Sequence, residues 1–171
     1  MSADLAVVQK TEVVERDRFS VHFDERQRQI ILDTCFNGAK PKEAQALMAI
    51  AEARGMNPIR QECWFVERGG KWAVQASIDW FRMRAEATGE YMGQDEPEYE
   101  YNKDGSIKLA RVRMYRKGWE RPIVGIAHFS EFNAGSPTWK KMPHVMIAKC
   151  AEAIAFRKGF LLQQNTFKNS V

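Results

Sequence analysis

The sequence predicts an α+β fold: an antiparallel β-sheet, formed by a hairpin plus a three-strand meander, packed with helices that include a long C-terminal amphipathic helix. Three observations predict it. Apolar residues recur at helical spacing in some stretches and alternate strictly in others. The alternating runs are joined by short turn signals, as antiparallel neighbours are. The helical stretches are grouped rather than interleaved one by one with strands.

Residues 1–22 mix charges without periodicity, and a frayed arm or a segment ordered by a neighbouring subunit is expected there. One core is expected over 23–160, with a short atypical tail at 161–171. Asp24 can cap DERQRQIILDTCFNG, whose stripe reads Ile30, Ile31, Thr34 and Cys35, with Gly38 near its end. A second helix follows Lys40, with Pro41 in its first turn, Ala44, Leu47, Met48 and Ala51 facing inward, and Gly55 as its stop. The GMNP turn, Gly55 to Pro58, comes next.

Period two then takes over in QECWFVE and KWAVQA, a hairpin closed by Gly69-Gly70. Ser77 caps SIDWFRMRAEATG, with Asp79 in the first turn, where a carboxylate suits the helix dipole, and Gly89 as its stop. The acidic EYMGQDEPEYEYNKDG ends in a strand and an Asp104-Gly105 turn. SIKLARVRMYRKG places Ala110, Val112 and Met114 on one face and Arg111, Arg113 and Tyr115 on the other. RPIVGIAHF is the last strand, followed by a loop with Gly135 and Pro137. WKKMPHVMIAKCAEAIAFRKGF, 139–160, closes the core as a helix with Met146, Ile147, Cys150 and Ile154 on its apolar stripe.

No apolar run approaches a membrane span, and the N-terminus lacks the pattern of a signal peptide, so a cytoplasmic protein is expected. The three cysteines and three histidines are isolated, giving neither a disulfide frame nor a metal set. No phosphate-binding loop, nucleophile elbow or HExxH motif is present, and neither a catalytic residue nor a cofactor is expected. Glu96, Glu98 and Glu100 could serve a metal-dependent nuclease, but a solvated acidic strand face accounts for them better.

Charge is divided unevenly. Residues 1–110 hold 15 Lys/Arg against 19 Asp/Glu, and residues 111–171 hold 11 against 3. A surplus of that kind suits either a solvated face or a surface that binds a polyanion. Arg111 and Arg113 share a sheet face with Tyr115 and can meet phosphates and a base, although pairing with the acidic strand at 96–100 competes. In the last helix Lys149, Ala153 and Arg157 step by four, leaving two cations on one flank, opposed only by Glu152; Lys140, Lys141 and Lys158 add charge at the ends.

GMNP, the aromatic strand Cys63-Trp64-Phe65 and the helix start at Asp79-Trp80, taken with Trp139, Met142-Pro143, Met146-Ile147, Lys149, Ala151-Glu152-Ala153, Arg157 and Phe160, resemble the RecT/Redβ (Bet) superfamily of phage single-strand annealing recombinases over about Asp24 to Phe160. The resemblance implies single-stranded DNA binding and ATP-independent annealing, with single-stranded DNA and the annealed duplex as partners. It further implies a homo-oligomer, ring or helical filament, and recruitment of a phage exonuclease and the host single-strand-binding protein. Lys149 and Arg157 carry over as phosphate contacts. His144 stands where a relative has lysine, and Arg60 supplies charge beside a position where relatives carry it. After Phe160 this chain reads LLQQNTFKNSV, unlike the glycine-aromatic-acidic continuation of relatives. A passive single-strand-binding module is the alternative.

Overall fold

The computed structural model describes residues 20–36, 38–133 and 135–160. The arm expected at 1–22 lies outside them except for Ser20–His22, and so does the tail at 161–171. The chain divides into two compact units, 1–80 and 81–171. The architecture is α+β, with one two-stranded and one four-stranded antiparallel sheet.

In the first unit, α1 (Glu25–Cys35) begins at a full capping box: Gln27 N–H donates to Asp24 Oδ1 at 2.8 Å, and Asp24 N–H donates to Gln27 Oε1 at 3.0 Å. Only Ile31 of its expected stripe is buried; Ile30 and Thr34 are exposed and Cys35 is half-buried. Eleven residues therefore dip into the core at a single point rather than along a face. Helix α2 (Pro41–Ala53) buries Ala44, Leu47, Met48 and Ala51, as its spacing predicts. Glu52 on α2 accepts from the Phe23 N–H at 2.7 Å and from Arg28 Nη2 at 2.6 Å, tying the segment before α1 to α2.

The GMNP segment closes a buckle. Gly55 adopts φ +64°, as a helix stop requires, and its carbonyl accepts from the Trp80 indole at 3.1 Å. Asn57 caps a 3₁₀ turn (Pro58–Arg60), and the Glu62 carboxylate accepts from the Asn57 N–H at 2.7 Å. Strands β1 (Cys63–Arg68) and β2 (Lys71–Ala76) follow, paired from Cys63↔Ala76 to Arg68↔Lys71. Both turn glycines, Gly69 and Gly70, have positive φ, the signature of a tight hairpin turn. Burial raises the Cys63 thiol to about 12. Helix α3 (Ile78–Ala87) starts from Ser77, whose Oγ accepts from the Trp80 N–H at 3.1 Å.

The second unit is built on β5 (Ile107–Arg116). Along one edge run β3 (Tyr91–Gln94) and β4 (Glu98–Tyr101), pairing at 114–116 and 107–111; along the other runs β6 (Ile123–His128), pairing at 109–114. The expected meander is present, but its first strand is in two pieces separated by Asp95-Glu96-Pro97. Proline has no N–H to give the ladder. Ala110, Val112 and Met114, with Ile123, Gly125 and Ala127 from β6, are buried.

The loop expected around Gly135 and Pro137 contains two short helices, α4 (Phe129–Phe132) and α5 (Pro137–Lys141). The last helix, α6 (Pro143–Gly159), packs across β5 and β6. The stretch from Trp139 is thus two helices. Met142, preceding proline, takes φ −135° and ψ 58°, outside the helical region that a following proline disfavours. Among the described residues no helix is long and apolar enough to cross a membrane.

Candidate nucleic-acid interface

Helix α6 meets the sheet through a different set of side chains from the predicted stripe. The buried residues are Ile147, Ala148, Ala151, Glu152, Ala155, Phe156 and Gly159, whereas Met146, Cys150 and Ile154 are half-buried at the margin. The alanines explain the rotation. A Cβ built on Gly125 would lie 2.0 Å from the Ala151 carbonyl oxygen and 2.7 Å from the Ala155 N. Backbone therefore packs on backbone, and only small residues fit between helix and strand.

That seating leaves Lys149 and Arg157 exposed on the far flank, eight residues and about 12 Å apart along the axis. The Arg157 guanidinium lies 5.0 Å from the centroid of the Phe81 ring, a cation–π contact that leaves its N–H groups available. Phe81 in turn stacks on Phe156 at 6.3 Å. Lys149 makes no ion pair among the described residues.

Glu152, the one carboxylate of α6, does not oppose these cations. It turns inward, its side chain 5% exposed, and accepts from Arg82 Nε at 2.7 Å and Arg82 Nη2 at 2.9 Å. A forked guanidinium matches both carboxylate oxygens, and this neutralises the only negative charge on the helix. Burial raises the Tyr91 hydroxyl above its ordinary range, and the nearby Glu152 charge adds to this. Sequence spacing gave no hint of Arg82, which lies 70 residues away.

The other predicted cations divide into two groups. Lys140 and Lys141 are exposed at the end of α5 without an ion pair among the described residues, while Trp139 beside them is buried edge-on to Phe129 at 5.6 Å. Lys158 is exposed but donates from Nζ to the Val124 carbonyl at 2.8 Å, on the open edge of β6. Arg111 and Arg113 lie on the sheet face opposite α6, within a charge lattice. Arg111 pairs with Glu100 at 2.9 Å and Glu98 at 3.5 Å, Arg113 pairs with Glu98, and Lys108 lies 3.7 Å from Glu100. Hydrogen bonding from Arg113 holds the Glu98 carboxyl below its usual range. Tyr115 donates to Asp95 at 2.8 Å. Arg60, in the first unit, pairs with Glu62 at 3.1 Å.

Arg116, the last residue of β5, is engaged on every side. Its guanidinium pairs with Glu90, donates from Nη1 to the Gly159 carbonyl at 2.5 Å, and lies over the rings of Trp119 and Phe160 at 5.3 and 5.6 Å. A cation at the last carbonyls of α6 complements the helix dipole. His144, at the other end of α6, is held by two tyrosines: its ring is edge-on to Tyr99 at 5.0 Å, and its Nε2 lies 3.0 Å from the Tyr101 hydroxyl. Among the described residues no three His, Cys, Asp or Glu side chains converge as a metal site, and Glu98 and Glu100 are committed to arginines.

With this geometry in view, the comparison with known families is decisive: the model of the RecT family matches residues 22–168. The chain belongs to the RecT family. No curated protein matches it. The RecT match spans both units, taking in the GMNP buckle of the first and the α6 flank of the second. Membership supports a role in phage-type recombination and strand annealing.

Proposed function

We propose that this RecT-family chain binds single-stranded DNA by its phosphates along the outer flank of α6 and anneals complementary strands without ATP. The observation that carries the proposal is the asymmetry of α6. Its only carboxylate is buried on Arg82, while Lys149 and Arg157 stand exposed and, among the described residues, without an acid partner. Lys140 and Lys141 extend the same positive character at the end of α5. Arg111 and Arg113, which share their charge with Glu98 and Glu100, contribute less.

Phosphate binding leaves base edges free to meet a complement. Pairing and stacking then supply the driving force, and the cations reduce the repulsion between two polyanions. Homo-oligomerisation into a ring or helical filament would join many short sites into one track, on which a phage exonuclease and the host single-strand-binding protein are the partners to look for.

Binding should weaken steeply with salt. Lys149→Ala and Arg157→Ala should each reduce the slope of log affinity against log salt by about 0.7 and abolish annealing of complementary oligonucleotides in stopped flow, with the far-UV circular dichroism unchanged. Normal annealing by both variants would move the DNA path elsewhere. Tight binding by the unaltered protein with no acceleration of pairing would reduce it to a passive single-strand-binding module.

A further inference from the structure

The turn between β5 and β6 carries chemistry that phosphate binding does not use. Lys117, Gly118, Trp119, Glu120 and Arg121 are all exposed, and the Trp119 side chain is among the largest apolar surfaces left in solvent, at 52% exposure. An indole so exposed at a turn tip would ordinarily be expected to wave freely. Here it is fixed. The Arg116 guanidinium lies over the ring at 5.3 Å, and the turn that carries it is held by backbone hydrogen bonds, the Trp119 backbone N–H donating to the Arg116 carbonyl at 3.1 Å and the Lys117 backbone N–H to the Glu90 carbonyl at 2.8 Å.

Arg116 also fixes where the turn stands. The same guanidinium donates to the Gly159 carbonyl and covers the Phe160 ring, so the turn is pinned to the C-terminal end of α6, the helix whose last turn carries Arg157 and Lys158. One face of the indole is taken by a cation, and the ring remains half in solvent. Around it stand Lys117 and Arg121, opposed in the turn only by Glu120. A flat, oriented aromatic ring among cations, at the end of a phosphate-binding flank, is what a nucleic acid with unpaired bases requires.

We infer that Trp119 is a base-stacking platform, receiving an unpaired base of single-stranded DNA whose phosphates run along the Lys149–Arg157 flank. The inference rests on the reading proposed above and adds a contact to the bases. Arg116 acts as a positioning residue, holding the indole at the end of α6. A base stacked there is withheld from pairing until it lifts off, so the platform sets the register of the first strand without reading its sequence.

Two probes of equal length separate base contact from backbone contact: oligothymidylate, and an oligomer of abasic sugar-phosphate units. Trp119→Ala should weaken binding to oligothymidylate by about 5- to 150-fold, the range for loss of one base–aromatic stack, and leave binding to the abasic oligomer unchanged. Trp119→Phe, which keeps a ring, should recover most of the loss. Equal affinity of Trp119→Ala and the unaltered protein for oligothymidylate would overturn the inference and leave the phosphate-binding flank standing. An equal loss on both probes would also overturn it, because the contact would not be to a base. Failure of the unaltered protein to bind either probe would sink the phosphate-binding reading and this inference with it.

Discussion

Gly125→Ala measures how closely α6 is seated on the sheet. The added methyl would lie 2.0 Å from the Ala151 carbonyl oxygen and 2.7 Å from the Ala155 N, where ordinary contact begins at 3.4 Å. The helix must therefore retreat by roughly 1.4 Å at this point, and neither atom has a rotamer to escape into. Overpacking costs about 1–3 kcal/mol, and a clash confined to backbone belongs at the upper end, near 3 kcal/mol. For a chain of this size that loss lowers Tm by about 6–12 °C. Gly159→Ala is the comparison. Its methyl would lie 2.1 Å from Ile123 Cδ1 and 2.9 Å from Cγ1, side-chain atoms rather than backbone, and alanine favours the helix over glycine by about 1 kcal/mol. Its net cost should stay below about 1 kcal/mol. Thermal unfolding followed by far-UV circular dichroism compares the two. If Gly125→Ala is as stable as the unaltered protein, or less harmful than Gly159→Ala, the close approach of helix and strand is wrong.

The charge lattice on the opposite sheet face gives a second expectation. Arg111→Ala and Arg113→Ala should leave the salt slope of DNA binding nearly unchanged, because Glu98 and Glu100 already hold these guanidinium groups, whereas Glu98→Gln with Glu100→Gln should strengthen binding. A slope reduced by about 0.7 in each arginine variant would mean that DNA displaces the carboxylates. Acid stability gives a third. Burial pushes the Glu52 carboxyl up, but hydrogen bonds from the Phe23 N–H and Arg28, with the Arg28 and His22 charges, outweigh it and hold the group below the usual carboxylate range. Its contribution is therefore present above the unfolded carboxyl value of about 4.3 and lost as pH falls through the lower folded value. Glu52→Gln should cost about 1–3 kcal/mol at neutral pH, with a difference in urea unfolding that shrinks as pH falls below about 4. A difference equal at both pH values would count against the assignment.

Much of the fold was legible because its signals are local. Asp24, Ser77, Gly55 and Gly89 mark helix ends through groups a few residues away, and the inward set of α2 follows from spacing alone. The competition between phosphate binding and cross-strand pairing at Arg111 and Arg113 was also visible, since antiparallel neighbours set charge against charge. What escaped is non-local. The stripe of α6 is rotated from Met146, Cys150 and Ile154 toward Ala148, Ala151 and Ala155, because Gly125 on another strand admits backbone rather than side chains. Small residues carry little weight in a hydrophobic pattern, yet they decide which face fits closely.

The sequence by itself determined an amphipathic last helix with cations along one flank, because spacing along a helix depends only on order in the chain, and its motifs carried the resemblance to the RecT family. Tertiary structure alone decided which cations are spare. Arg82 takes Glu152 out of solvent, Glu98 and Glu100 occupy Arg111 and Arg113, and Arg116 is spent on Glu90 and the end of α6. An ion pair needs two side chains within a few ångströms, and only the folded chain brings such distant residues that close.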